Sequence, residues 1–352
     1  MTTRTLVLVS DKQLRLKPLL QALYQTAQHT GLNTAALLRG TGLFEEVFSQ
    51  PLCISPSQLV RLLNNFQRLQ RTPDSAFLVG DRLATLLQQD VATPLLYSPT
   101  LKHWLRAAPL VLGDFYTLFY VRRYIHQHDQ YLVVTSALGT FAGWPLLHQI
   151  LLSAFSQLLK QWGHQRVSLR YEFCRPTPTN IADYQVMLGT RLYFARPLDA
   201  IVVKQTITHL RPHSPQLDGK HIDATMPPAA VRTPYRPLVS LCRLVHGRAA
   251  RRVTLPVVLR QLALNHSDLN LAEAARCLAL SPATLKRRLA DFNTSFSAIC
   301  ADASREQAVF LLSYEGLTNE QSALKMAVSD LTNFRRAVKR WTGLTPSQLR
   351  QR

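Results

Sequence analysis

The sequence predicts an α+β N-terminal domain followed by an all-α C-terminal domain, and three observations carry the prediction. Helical and strand periodicities mix through roughly the first 210 residues, six prolines crowd residues 212–237, and beyond residue 250 the pattern is almost wholly helical and one unit occurs twice. At 352 residues the chain is long enough for more than one hydrophobic core.

The N-terminal half opens with helices. The segment PLLQALYQTAQHTG (18–31) ends at a glycine, and SPSQLVRLLNNFQRLQR (55–71) starts with Ser55 and Pro56 in the N-cap and first-turn positions. Phe115, Tyr116, Phe119, Tyr120 and Tyr124 have helical spacing and are expected to face a core, a ligand pocket lined by some of them being the alternative. DQYLVVTSAL (129–138), RVSLRYEFC (166–174) and AIVVKQTITHL (200–210) are β-rich, with Val167, Leu169, Tyr171 and Phe173 alternating against polar neighbours. Between the first two of these, WPLLHQILLSAFSQLLKQWG (144–163) reads as an amphipathic helix.

Pro212, Pro215, Pro227, Pro228, Pro234 and Pro237 exclude regular helix and central strand from the stretch they punctuate. The expected divisions are residues 1–225 as an effector-sensing and dimerisation domain, 226–250 as a proline-containing linker and 251–352 as a DNA-binding domain. Lys plus Arg outnumber Asp plus Glu by 41 to 21, and the excess of +20 favours a polyanionic partner. Residues 232–352 hold 19 basic and 8 acidic side chains, about twice the net charge per residue of the rest.

The duplicated unit states what that charge is for. TLKRRLADF (284–292) aligns with NFRRAVKRW (333–341), superposing Leu285 on Phe334, Lys286 on Arg335, Arg287 on Arg336, Leu289 on Val338 and Phe292 on Trp341. The apolar positions form one buried stripe and the cations lie off it. Upstream, Ala275 and Ala323 occupy matching places in a short preceding helix, where a small side chain permits close crossing. Ser281 with Pro282 caps the second helix of the first unit, and Asp330 takes the cap position in the second. Each unit therefore has the layout of a helix-turn-helix. Between them, FSAICADASREQAVFLLSYEG (296–316) is expected to form a linker helix of about 19 residues, roughly 28 Å long. Two recognition helices on one face of B-DNA enter major-groove segments about 34 Å apart, a spacing this linker can meet.

This arrangement resembles the AraC family of bacterial transcription regulators. The resemblance is carried by Ser281-Pro282-x-x-Leu285-x-Arg287, by Arg305, Ala308, Leu311 and Leu312 in the linker helix, and by the run from Phe334 to Gly343-Leu344-Thr345-Pro346-Ser347-Gln348. The second unit departs from the family at Ser322-Ala323 and Ala327-Val328. More weakly, the first 225 residues resemble the arabinose-binding-type effector domain of one AraC subgroup, on VFSQPLCISPSQL, LVGDRLA and YQVMLGTRLYF.

The site residues expected to touch bases are Ala283, Thr284, Arg287, Thr332, Asn333 and Arg336, with Arg287 and Arg336 suited to guanine because a guanidinium can bond O6 and N7 together. Ser281, Lys286, Arg288, Arg335 and Lys339 are expected at phosphates. The blander reading, a solvated helix face, does not account for the duplicated spacing and caps. The expected partners are double-stranded DNA, RNA polymerase, a second copy in a homodimer and a small-molecule effector; the alternative is control by a protein partner or dimerisation alone.

Other chemistry is weakly represented. The five cysteines are scattered, which fits a reducing, cytoplasmic setting, and no apolar run approaches membrane-spanning length; TLVLV (5–9) is too short for a signal core. His126 and His128 would face one side of a strand but lack a third ligand, and Cys174 is expected to be a buried structural cysteine. GTFAGW (139–144) lacks the ending of a phosphate loop. No catalytic, metal or cofactor constellation is expected.

Overall fold

The computed structural model describes residues 5–48, 53–70, 72–163, 167–212, 252–266 and 269–351. The expected linker at 226–250 lies outside the described residues.

Apolar spacing and caps set the helices of the N-terminal half: α1 (Lys17–His29), α2 (Thr34–Leu38), α3 (Pro56–Leu69), α4 (Ser75–Leu87), α5 (Thr93–Leu96), α6 (Leu101–Val111), α7 (Trp144–Gly163) and α8 (Ile181–Leu188). At the start of α3 the Ser55 hydroxyl accepts from Gln58 N at 3.3 Å while Gln58 returns its carbonyl to Ser55 N at 3.0 Å, a reciprocal capping box. Helix α7 is buried along much of its length, from Leu146 to Trp162. It crosses α4 at Gly80, where a Cβ would meet the Ser153 Cβ at 2.4 Å, so only glycine allows that approach.

The strands β2 (Phe119–His126), β3 (Asp129–Ser136), β4 (Arg170–Glu172), β5 (Leu192–Tyr193) and β6 (Ala200–Lys204) form one sheet in the order β2-β3-β6-β4-β5, antiparallel except for β4 with β5. The aromatic stretch expected to be helical is instead a short 3₁₀ turn at Phe115–Thr117 followed by β2. Its spacing fits both periods, and pairing with β3 across Phe119↔Ser136 to His126↔Asp129 decides for the strand.

Both faces of the sheet are covered, which is why Ala200, Ile201, Val202 and Val203 of β6 are all buried. Ile201 and Val203 join Tyr171 and Leu169 in the large core with the N-terminal helices. Ala200 and Val202, with Tyr131 and Val133 of β3, face the other way and meet the C-terminal region.

That region comprises β7 (Arg252–Thr254), α9 (Leu255–Asn265), α10 (Leu271–Cys277), α11 (Pro282–Asp291), α12 (Phe296–Val309), α13 (Asn319–Lys325), α14 (Leu331–Thr342) and α15 (Pro346–Arg350). It is helical as expected, with one addition: β7 pairs in parallel with β1 (Thr5–Val7). The short apolar run at the start of the chain is thus a strand stitched to the start of the C-terminal region.

Helix α12 continues without a break through a π-turn at Phe310–Tyr314, and its second half docks on the sheet. Phe310 stacks on Tyr124 at 4.0 Å between ring centroids and meets Tyr131 edge-on at 5.8 Å. Glu306, 1% exposed, accepts from Arg260 Nη2 at 2.5 Å and from the Tyr124 hydroxyl at 2.9 Å, with Arg122 at 3.8 Å. Next to it Arg305 donates to the Pro197 carbonyl at 3.0 Å. Glu172 on β4 takes the Tyr314 hydroxyl and the Arg170 guanidinium. Burial and the adjoining carboxylates raise the pKa of Tyr124 and Tyr314, so both phenols remain donors.

Removing the Glu306 charge leaves the largely buried guanidiniums of Arg260 and Arg122 without their carboxylate. Glu306→Gln is expected to lower stability by about 3 kcal/mol, read from denaturant midpoints; an unchanged midpoint would show that the interface does not depend on this ion group.

His148, buried in α7 and stacked on Trp144 at 5.4 Å, is pushed down to about 4 by burial. The unfolded chain takes up a proton near 6.5 and the folded chain only near 4, so the contribution is complete above 6.5 and is lost as pH falls between those values. Stability is expected to fall by about 3 kcal/mol on this account between neutral pH and pH 4. A His148→Gln variant should have a correspondingly flatter stability profile over that range.

Candidate nucleic-acid interface

Two helix–turn–helix pairs, α10 with α11 and α13 with α14, are built alike down to the backbone. Asn270 and Thr318 open the first helices, each in a capping box closed by Glu273 or Gln321. Ala279 and Ala327 hold the turns at φ of 53° and 55°, in the left-handed region. There Leu280 N bonds to the Ala275 carbonyl and Val328 N to the Ala323 carbonyl, both at 2.9 Å. Ser281 and Asp330 cap the second helices, accepting from Thr284 N at 3.1 Å and Thr332 N at 2.8 Å. Asn293 and Gly343 then turn the chain at φ of 51° and 75°.

The matched αL alanines explain the departure at Ala327-Val328: the turn keeps its geometry although a residue with a Cβ occupies it. The same holds for Ala279 in the first unit.

The two pairs have separate cores. Ala274, Ala275, Leu285, Leu289, Phe292 and Ile299 pack with α9, whereas Ala323, Phe334, Val338 and Leu349 pack with the second half of α12. Leu285, Leu289, Phe334 and Val338 are the inward stripe that the sequence predicts, each fully buried. The linker helix spans Phe296 to Tyr314 as expected and is the element common to both cores.

With the stripes inward, the predicted contact residues face outward. Ala283, Lys286, Arg287, Thr332, Asn333, Arg335, Arg336 and Lys339 are exposed; Thr284 and Arg288 are half-buried. Ser281 is exposed but its hydroxyl also lies 2.9 Å from that of Thr284. Among the described residues, none of Lys286, Arg287, Arg288, Arg335, Arg336 and Lys339 forms an ion pair. The helices thus carry cations free to meet an external polyanion. Arg340, exposed at the end of α14 one turn beyond Arg336, adds a further cation that the sequence reading did not include.

Two other expectations change. Cys174 is exposed just beyond β4 instead of buried in a strand, because β4 ends at Glu172. Its sulfur is nevertheless crowded, 3.9 Å from Arg305 Nη2, and burial together with Asp199 pushes the thiol up to about 12, which opposes a reactive thiolate. His126 ends β2 and His128 sits in the two-residue hairpin turn after Gln127, so the pair does not share a strand face. Among the described residues no group of three metal-ligating side chains occurs, and no helix is long and apolar enough to cross a membrane.

Residues 274–352 match a family model described as a helix-turn-helix domain. An uncharacterised HTH-type transcriptional regulator of Mycobacterium tuberculosis is 28% identical over 183 residues, covering 51% of this chain and 53% of that one. The chain thus spans about half the length of this relative. The ornithine utilization regulator of Pseudomonas aeruginosa is 34% identical over 82 residues, 23% of this chain and 24% of that one. The HTH-type transcriptional regulator AdiY of Escherichia coli is 35% identical over 91 residues, 25% of this chain and 36% of that one. The crystal structure of the transcriptional regulator CdpR from Pseudomonas aeruginosa overlaps 82% of this chain and 96% of its own, at 20% identity and a TM-score of 0.33. The C-terminal region is a helix-turn-helix domain of AraC type.

An alanine in the left-handed region costs roughly 1 kcal/mol more than glycine. Ala279→Gly and Ala327→Gly are each expected to raise stability by up to about 1 kcal/mol with DNA affinity retained. Melting curves and binding isotherms check this, and destabilisation at either position would contradict the strained-turn assignment.

Proposed function

We propose that the protein is a sequence-specific, DNA-binding transcription regulator with two recognition helices per chain. The observation that carries the reading is the repeated presentation of a capped helix with an inward apolar stripe and outward, unpaired cations. In this reading α11 and α14 enter successive major-groove segments of double-stranded DNA about 34 Å apart. Arg287 and Arg336 read guanine, with Ala283, Thr284, Thr332 and Asn333 at neighbouring base edges. Ser281, Lys286, Arg288, Arg335 and Lys339 hold phosphates.

Residues 1–225 act as the sensing and dimerisation unit and 251–352 as the DNA-binding unit, in a cytoplasmic homodimer that engages RNA polymerase. A small-molecule effector changes the placement of the DNA-binding units, which requires different affinities for the two arrangements.

Purified protein incubated with genomic fragments across a salt series is expected to select recurrent sites spanning about two helical turns. Arg287→Ala should relax selection at one base position at a cost of about 1–3 kcal/mol. Lys339→Ala should weaken all sequences evenly and reduce the salt slope by about one. Binding of every fragment alike by wild type and by an Arg287→Ala/Arg336→Ala variant would sink the reading.

A further inference from the structure

A cleft of about 710 Å³ lies between the N-terminal helices and the first helix–turn–helix pair. Its floor is apolar, formed by Val60, Leu69, Leu138 and Phe141. Three guanidiniums line the N-terminal side: Arg39 at the end of α2, and Arg61 and Arg68 on α3. Arg61 donates to the Gly40 carbonyl at 2.8 Å, and among the described residues none of the three forms an ion pair. The opposite side is the end of α11, from Asp291 to Asn293.

The wall is preformed. Asn65 Nδ2 donates to the Leu37 and Arg39 carbonyls at 2.9 Å, fixing the end of α2 against α3, and Asn64 Oδ1 accepts from Gly143 N at 2.9 Å, fixing the loop before α7. The volume falls within the range of small-molecule sites.

We propose that this cleft is the effector site and that its ligand is an organic anion, an acid group carried on an apolar body. Three arginines without counter-ions call for a carboxylate, sulfonate or phosphate, which a guanidinium can hold through two parallel hydrogen bonds. Inorganic phosphate alone would leave the apolar floor uncovered, and a neutral hydrocarbon would leave the cations unused. The cleft also touches the DNA-binding machinery directly. Phe292, at its edge, closes α11 and presses on Gly139, where φ is +77° and a Cβ would come 2.0 Å from the Phe292 carbonyl oxygen. A ligand wedged here bears on the end of α11 through a contact with no slack. This coupling to DNA rests on the regulator reading above; anion binding by the cleft does not.

The test uses the full chain and two fluorescent probes of similar shape, the anionic 8-anilinonaphthalene-1-sulfonate and the neutral N-phenyl-1-naphthylamine. The sulfonate is expected to saturate a single site and to bind at least about tenfold more tightly than the neutral probe. An Arg39→Gln/Arg68→Gln variant should lose about tenfold in sulfonate affinity with an unchanged melting curve and unchanged neutral-probe affinity. Equal affinity for both probes, or an unaltered sulfonate isotherm in the variant, overturns the anion site. A shallower salt slope for DNA binding by the probe-free variant also overturns it, since the arginines would then be phosphate contacts. Saturating sulfonate is expected to change DNA affinity by about fivefold or more; no change overturns the effector role. If the protein selects no DNA sites at all, it is the regulator reading that fails, and the probe titrations still judge the cleft.

Discussion

The second half of helix α12 lies between a β-sheet and a helix–turn–helix core, and most of the architecture depends on that contact. Phe310 stacks on Tyr124 while Ala308, Leu311 and Leu312 pack among Val133, Leu198, Ala200, Phe334 and Val338. At the centre Glu306 draws Arg260 from α9 and Arg122 and Tyr124 from β2 onto one carboxylate. A charge buried to this degree is tolerable only when its partners are held in place, so the three elements are bound to one geometry. The parallel pairing of β1 with β7 and the Thr254 hydroxyl on the Ala137 carbonyl tie the same regions at a second point.

This has a consequence for the two helix–turn–helix pairs. They share no core of their own; α12 supplies Ile299 to the first and Val309 with Leu312 to the second. Their spacing is therefore set by one helix, and that helix is clamped to the sheet. Any change in how α12 or the end of α11 sits against the N-terminal helices alters the relative presentation of both cationic surfaces. The cleft beside Phe292 and the ion group at Glu306 lie at the two places where such a change can be made.

How much of this was readable from residues alone varies with the kind of interaction. The caps at Ser55, Ser281 and Asp330 and the inward stripe of Leu285, Leu289, Phe334 and Val338 follow from local rules, and the structure agrees. The outward direction of Arg287 and Arg336 follows from the same periodicity. The aromatic run from Phe115 to Tyr124 misled, because its spacing suits a helix as well as a strand and only pairing with β3 separates the two. Cys174 misled for a related reason: strand alternation was extended past Glu172, where the regular strand ends.

By itself the sequence determined the α+β and all-α halves, the repeated unit, its caps and the surface that carries the unpaired cations, since each depends on residues within a turn or two of one another. Tertiary structure alone decided that Glu306 is buried among Arg122, Tyr124 and Arg260, that Thr5–Val7 is a strand beside Arg252–Thr254, and that Arg39, Arg61 and Arg68 border one cleft with Phe292. These groups come from distant parts of the chain, Tyr124 and Glu306 being 182 positions apart and the paired strands at Thr5 and Arg252 farther still, and no local periodicity encodes which distant surfaces will meet.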